Sequence, residues 1–241
     1  MRLAVISDVH SNLEALSAVL ASIHQRKVDA VISLGDNIGY GADPEAVTML
    51  LRRNRIVSVM GNHELALLND DYLAGFNPMA KAALVKNRAL LSHDSREHLA
   101  GLKSAIGRFN GCFVHGLPPD SITTYLSHAT DILLERRMAG LARKISFVGH
   151  THLLGMVELG SQGIVRKKLK EKKAPLDPKS RYIINAGSVG QPRDGDPRAK
   201  FVIWDADALT VEPVFLEYDR KAAAEKIRKA GIPEVFARRL L

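Results

Sequence analysis

The chain has 241 residues, 46% hydrophobic and 25% charged, with 34 Lys and Arg against 26 Asp and Glu and a formal net charge of +8. That length and apolar share allow a sizeable core, so a single domain over residues 1–241 is expected, and the one cysteine, Cys112, excludes an internal disulfide and a thiolate zinc cluster. The N-terminal apolar run, Leu3 to Ile6, is too short for a signal-peptide core or a membrane span, which points to a protein free of the membrane in a reducing, cytoplasmic setting.

Leu3 to Ser7 reads as a strand, and behind Ser11 or Asn12 as a cap the residues Leu13, Leu16, Val19, Leu20 and Ile23 recur at helical spacing. Ala30 to Leu34 repeats the strand signal. Asp43 and Pro44 open a second helix through about Asn54, the carboxylate as N-cap and proline in the first turn, and Ile56 to Val59 follows as a third strand. This βαβαβ alternation predicts an α/β fold with a sheet covered by helices. From Glu64 to about Ala105 the pattern turns helical, with Asn77-Pro78 and Asp94 as start signals, and reads as a helical insertion beside the sheet. A strand, Phe109 to Val114, a helix, Asp131 to Ala142, and another strand, Ile145 to Val148, come next. In the last third, Met156 to Leu159, Ile164 to Leu169, Tyr182 to Ile184, Phe201 to Trp204 and Val211 to Leu216 are short strands separated by turns such as Ser161-Gln162-Gly163. They are expected to form an antiparallel second sheet, giving a two-sheet sandwich flanked by helices.

The positive charge favours anionic partners: phosphorylated metabolites, nucleic acid or an acidic surface. Much of it is local, in RKKLKEKK at residues 166–173 and in the tail from Arg220. The basic run reads as a solvated hairpin face, because no aromatic residue is interleaved to stack on bases.

Five polar clusters carry the chemistry: Asp8-Val9-His10, Gly35-Asp36-Asn37, Gly61-Asn62-His63-Glu64, His115-Gly116 and Gly149-His150-Thr151-His152. Each follows the end of an apolar strand-like run. In open α/β sheets ligands bind beyond the carboxyl ends of the strands, so the clusters are expected to converge there. Residues at i and i+2 of an extended segment point the same way, which would aim Asp8 with His10 and His150 with His152 into one crevice. Carboxylate, imidazole and amide donors together suit Mn, Fe, Zn or Co better than Ca. The set of Asp8, His10, Asp36, Asn62, His115, His150 and His152 exceeds what one ion needs, whereas two ions sharing a bridging carboxylate would use it. His24, His93, His98 and His128 lie in helical or loop stretches without partners and are expected to be bystanders.

The five blocks, in this order, resemble the calcineurin-like metallophosphoesterase superfamily, whose signature is D-x-H, G-D, G-N-H-[DE], a His and G-H-x-H. They span Asp8 to His152, and the stretches Gly35 to Gly41 and Asn185 to Arg193 are similar to the small prokaryotic members. The resemblance implies two divalent transition-metal ions (Mn, Fe, Zn, Ni or Co). Asp8, His10 and His152 would hold the first, Asn62, His115 and His150 the second, and Asp36 would bridge them. A water or hydroxide between the ions would be the nucleophile, with His63 as the acid that stabilises or protonates the leaving oxygen. The activity implied is hydrolysis of phosphoester bonds in a small phosphorylated substrate, by a phosphodiesterase or a nucleotide or dinucleoside polyphosphate hydrolase.

In the protein Ser/Thr phosphatase branch the second block reads G-D-x-V-D-R-G, and Gly39 and Tyr40 stand here in place of the later Asp and Arg. That departure weakens a phosphoprotein reading and leaves Glu64 as the candidate to orient His63. Arg193, in the Gly/Pro-rich loop, is the expected phosphate contact. The alternatives are a phosphomonoesterase, protein phosphatases included; a nuclease, which the basic balance supports but which is not favoured, since no nucleic-acid-binding domain is recognisable; and an interaction scaffold. Scaffold members typically lack ligands or the GNH histidine, and this chain keeps them all.

Overall fold

In the computed structural model, which describes residues 1–241, the N-terminal alternation is β1 (Arg2–Ile6), α1 (Leu13–Gln25), β2 (Ala30–Ser33), α2 (Pro44–Arg53) and β3 (Val57–Ser58). Asn12 caps α1 by accepting from the Ala15 amide at 3.0 Å. Asp43 stands at the start of α2 but makes no cap bond, because Lys226 takes its carboxylate at 2.9 Å. The helical stretch resolves into α3 (Asn62–Leu68), α4 (Asp70–Ala74), α5 (Pro78–Leu90) and α6 (His93–Ala100). Asn77 caps α5 as expected, whereas α6 starts one residue before Asp94, capped by Ser92.

The hairpin β4 (Ala105–Arg108) and β5 (Gly111–Val114) follows, then α7 (Asp131–Gly140), β6 (Ile145–Val148), β7 (Gly155–Gly160), β8 (Gly163–Lys168), β9 (Ala174–Pro175), β10 (Arg181–Asn185), β11 (Ala199–Asp205), β12 (Thr210–Leu216), α8 (Arg220–Lys229) and α9 (Glu234–Arg238). β4 escapes a sequence reading because AIGR is short and half-exposed. The helix α8 escapes it because only Ala223, Ala224 and Ile227 form its buried side.

The strands build two mixed six-stranded sheets, ordered β3-β2-β1-β11-β12-β9 and β4-β5-β6-β10-β7-β8. This corrects one expectation: the C-terminal strands do not make a sheet of their own. β11 pairs antiparallel with β1 and carries β12 and β9 into the first sheet, while β10 runs parallel to β6 and carries β7 and β8 into the second. Strand-like runs buried on both faces report burial and not neighbours, so the allocation is invisible in the sequence.

Alternation along each strand sets the layers. Leu3 and Val5 face inward with Ile32, Phe113, Phe147, Ile184, Val202 and Trp204, the core between the sheets. Ala4 and Ile6 face outward and meet Leu16, Val19 and Ile23 of α1. Below the second sheet, α7 buries Leu134 and Met138 on Val148 and Ile183. Each fully buried Leu, Ile or Val adds about 1.5–3 kcal/mol relative to exposure. The packing fixes the sheets face to face, and the ends of β1, β2, β5 and β6 open on one crevice. No helix is long and apolar enough to cross a membrane.

Candidate metal centre

Beyond Ile6 the chain leaves the strand, and the local conformation departs from the extended one expected. Asp8, His10, Asp36, His150 and His152 all adopt left-handed backbone conformations, with φ of 54°, 48°, 52°, 66° and 59°. For residues with a Cβ this costs of the order of 1–2 kcal/mol each, and such strain collects where function needs it. The side chains therefore converge through kinked loops and not through i, i+2 alternation. Backbone bonds between loops hold the kinks: the Asp8 amide donates to the Gly35 carbonyl at 3.1 Å and the His10 amide to the Asp36 carbonyl at 2.9 Å.

Two histidine pairs define the centre. In the first, Nε2 of His10 and Nε2 of His152 stand 3.2 Å apart, and Asp8 Oδ1 lies 3.2 Å from the latter. In the second, Nε2 of His115 is 3.1 Å from Nδ1 of His150 and 3.1 Å from Asn62 Oδ1. The opposite ring nitrogens are engaged by backbone carbonyls: His10 Nδ1 by Ile38 at 3.0 Å, His115 Nδ1 by Leu34 at 2.8 Å, His152 Nδ1 by Gln191, and His150 Nε2 by Thr123 at 3.1 Å. Each N–H donated outward leaves a lone pair facing inward. Lone pairs cannot bond to one another, but 3.1–3.2 Å is the spacing of two nitrogens that each sit about 2.1 Å from one cation.

Asp36 lies between the pairs. Its Oδ2 is 3.3 Å from His115 Nε2 and 3.7 Å from His10 Nε2, and its Oδ1 accepts the His63 amide at 2.8 Å. Gly61 permits this approach, since a Cβ there would sit 2.2 Å from Asp36 Oδ1. Asp8 Oδ1 is buried without a hydrogen bond, while Oδ2 accepts from Ser7 Oγ at 2.6 Å and the His150 amide at 3.1 Å. An orphaned, buried carboxylate oxygen beside paired imidazole lone pairs fits divalent cations with nitrogen and oxygen ligands. Three groupings have all ligand atoms within 4.8 Å of one another: Asp8, His10 and His152; His10, Asp36 and His63; Asp36, His115 and His150.

Without a cation, protons must relieve the crowding. Burial would raise the Asp8 carboxyl, but the adjoining His152 holds it well below the carboxylate range. Burial likewise opposes a charge on His115, yet Asp36 lifts it to about 9. His150 goes the other way, to about 4, through burial and the His115 charge.

His63 stands beside the first pair. Its Nε2 is 3.9 Å from Asp36 Oδ2, its Nδ1 is buried without a partner, and burial pushes the ring down to about 3. Packing alone sets its orientation, with ring centroids 4.5 Å from Tyr40, 4.8 Å from His10 and 5.3 Å from Phe76. Glu64 does not orient it. The Glu64 carboxylate turns away and accepts from the amides of Asp36, Asn37 and Gly61 at 2.9, 2.7 and 2.8 Å, clamping the second block to the third. Arg193 is exposed at the rim, its Nη2 donating to the Tyr40 hydroxyl at 3.3 Å.

Several supporting residues carry no sequence motif. Tyr125 stacks on His150 at 3.7 Å. Asn87, buried on α5, accepts from Ser11 Oγ and the Gly39 amide and donates to the Gly41 carbonyl. A lone Asn on the apolar face of a helix was the available signal. The outlying His24, His93, His98 and His128 take no part in the three groupings.

Residues 1–208 match the calcineurin-like phosphoesterase superfamily domain. The uncharacterized protein MJ0912 of Methanocaldococcus jannaschii is 36% identical over 99% of this chain and 96% of its own. A metallophosphoesterase from Sphaerobacter thermophilus superposes with a TM-score of 0.85 at 34% identity, covering 100% of this chain and 98% of that one. The hypothetical protein PH1004 from Pyrococcus horikoshii shares the fold at a TM-score of 0.80 and 20% identity, covering 99% and 97%. The chain belongs to the calcineurin-like phosphoesterase superfamily.

Proposed function

We propose that the protein hydrolyses phosphoester bonds of small phosphorylated substrates with two divalent transition-metal ions, as a phosphodiesterase or a nucleotide or dinucleoside polyphosphate hydrolase. The observation that carries this reading is the pair of inward-facing nitrogen couples, 3.2 and 3.1 Å across, with Asp36 between them. Asp8, His10 and His152 would hold one ion, Asn62, His115 and His150 the other, with Asp36 the residue shared between them. Bound ions supply Lewis acidity and lower the pKa of water.

The chain's own groups do the rest. The carbonyls of Ile38, Leu34, Gln191 and Thr123 fix the ring tautomers, so each inward nitrogen is the one left to donate a lone pair, and His115, held protonated by Asp36 in the metal-free protein, is the ring that would release a proton on binding. His63, outside both nitrogen couples, faces the leaving oxygen. Its neutral ring offers one N–H as a hydrogen-bond donor, and a phosphate oxyanion beside it opposes the burial that disfavours its cation. Arg193 contacts phosphate at the rim. Gly39 and Tyr40, standing where phosphoprotein phosphatases carry Asp and Arg, favour small nucleotide diesters or pyrophosphate-type bonds over phosphoproteins.

The test is chelation and reloading with Mn, Fe, Zn, Ni, Co or Mg, followed by metal analysis and assay on monoesters, diesters, dinucleoside polyphosphates and a phosphoprotein. Two ions per active chain and a preference for diester or pyrophosphate bonds are expected. One ion or fewer per active chain overturns the two-ion centre, and a preference for phosphoprotein overturns the substrate class.

A further inference from the structure

Residues 209–241 lie beyond the family match, yet their helices reach the metal centre. α8, α9 and the residues just after α9 bury Ala224, Ile227, Phe236 and Leu240 in a small core that includes Tyr40. The Phe236 ring stacks on Tyr40 at 4.4 Å, and Tyr40 in turn lies 4.4 Å from His10 and 4.5 Å from His63. The end of α9 is thus two rings away from the candidate ligands.

Arg239 follows α9 directly. Its guanidinium carbon is 5.5 Å from the Phe236 centroid and 6.0 Å from that of Tyr40, and Nη1 donates to Gln191 Oε1 at 3.1 Å. Arg193 approaches the same Tyr40 ring from the Gly/Pro-rich loop, 5.9 Å from its centroid. Both arginines line one cavity of about 440 Å³ with Pro192, Pro197 and Asp196. Neither forms an ion pair. Asp196 is committed to a forked contact with Arg198, and Asp194 to Lys200. The hydrogen-bond partners of the two arginines, the Tyr40 hydroxyl and Gln191, are both neutral, so the like charges repel each other until an anion joins them, and burial together with Arg193 already pushes the Arg239 guanidinium down. The planar guanidinium fork matches phosphate geometry.

We propose that Arg193 and Arg239 form a second phosphate subsite beside the metal centre, which selects substrates carrying a further phosphate next to the scissile one, as in nucleoside polyphosphates and other pyrophosphate-linked compounds. The proposal rests on the phosphoesterase reading above. The Tyr40 ring borders both the metal-centre histidines and the arginine pair, so an anion on the pair sits off the ions and leaves the scissile phosphoryl to them. Of the pair, Arg193 lies within the family match and Arg239 beyond it.

Arg239→Gln and Arg239→Lys in the full chain test it, with Arg193→Gln as a second probe on an exposed side chain. Losing one charged hydrogen-bond fork is worth about tenfold or more in affinity. Inorganic pyrophosphate, titrated calorimetrically into chelator-treated protein, should bind Arg239→Gln about tenfold more weakly, with Arg239→Lys in between. In metal-loaded protein the KM for a dinucleoside tetraphosphate should rise about tenfold relative to that for bis(4-nitrophenyl) phosphate, with the effect in KM and not kcat. Equal KM rises for both esters, or undiminished pyrophosphate binding, overturn the subsite. Loss of metal from Arg239→Gln also overturns it, because Arg239 would then act through Gln191 on His152. If loaded wild-type protein cleaves none of the esters, the phosphoesterase reading fails instead, and the pyrophosphate titration alone decides the arginine pair.

Discussion

Gly39 presses against His63: a Cβ atom on residue 39, where φ is +92°, would lie 2.1 Å from the imidazole Nδ1. The ring occupies the space a side chain would need. Gly39→Ala is therefore expected to push His63 out of place and to strain the backbone by about 1–2 kcal/mol. A displacement near 1 Å costs roughly 10² in rate, so kcat should fall by about that factor while bound metal, measured by elemental analysis, stays near the wild-type level. Unchanged kcat would show that the His63 position is immaterial to the chemistry.

His63→Gln and Asp36→Asn should separate chemistry from metal binding. The first is expected to keep its ions and lose about 10² to 10⁴ in kcat, the range for general acid–base catalysis. The loss should be larger for alkyl esters than for p-nitrophenyl esters, whose leaving group barely needs a proton. Asp36→Asn takes the negative charge from between the two histidine pairs, so its metal content itself should drop. Metal loss in both variants would place His63 among the ligands, as its grouping with His10 and Asp36 permits.

Glu64 is a test of the loop clamp. Its carboxylate accepts three backbone N–H groups from two loops, and Glu64→Gln replaces one accepting oxygen with an NH₂ that faces donors. Hydrogen bonds to a charged group contribute about 1.5–3 kcal/mol each, so denaturant unfolding should register a loss of at least about 2 kcal/mol, accompanied by weaker metal binding. Full stability in Glu64→Gln would mean that the loops are held by packing alone.

In chelator-treated protein, stability should peak near pH 6.5. His63 and His150, held down to about 3 and about 4, and His152, also pushed well below its usual value by burial, bind protons more readily when unfolded. Their contribution is complete above the unfolded value of about 6.5 and is lost as pH falls toward their folded values. His115, raised to about 9, has the opposite sign: its contribution is complete below about 6.5 and is lost as pH rises through 9. Burial also raises Glu64 and softens the acid limb, but three histidines outweigh it. Thermal melts from pH 4 to 9.5 read both limbs, and a melting temperature climbing steadily to pH 9 would contradict the His115 assignment.

The sequence carried the ligand blocks clearly because each breaks an apolar run with a polar group that a core strand could not bury alone; Asp8, Asp36 and His150 stand out for that reason. It carried the helix starts at Asn12, Asp43 and Asn77, and misled at Asp43 only about the cap bond, since a lysine from residue 226 takes that carboxylate. Periodicity could not assign β10 and β11 to different sheets, since both are apolar on both faces. Nor could it place Arg239 or Tyr125, whose roles depend on packing between segments far apart in the chain.

The pairing of β1 with β11 has a consequence for how the protein is made. The loop bearing Asp8 and His10 leans on chain synthesised some 180 residues later: Ser188 Oγ and the Gly190 amide donate to the Asp8 carbonyl at 2.8 and 3.0 Å, and the Val189 amide donates to that of Ser7 at 2.9 Å. Contacts this distant in sequence form slowly and late. On the ribosome the N-terminal half would carry its carboxylates and imidazoles exposed, without the frame that bends them into left-handed turns. A chain arrested before residue 186 should consequently bind metal far more weakly than the full chain, and release of the segment from residue 186 onward, not arrival of the ligands, should time metal uptake.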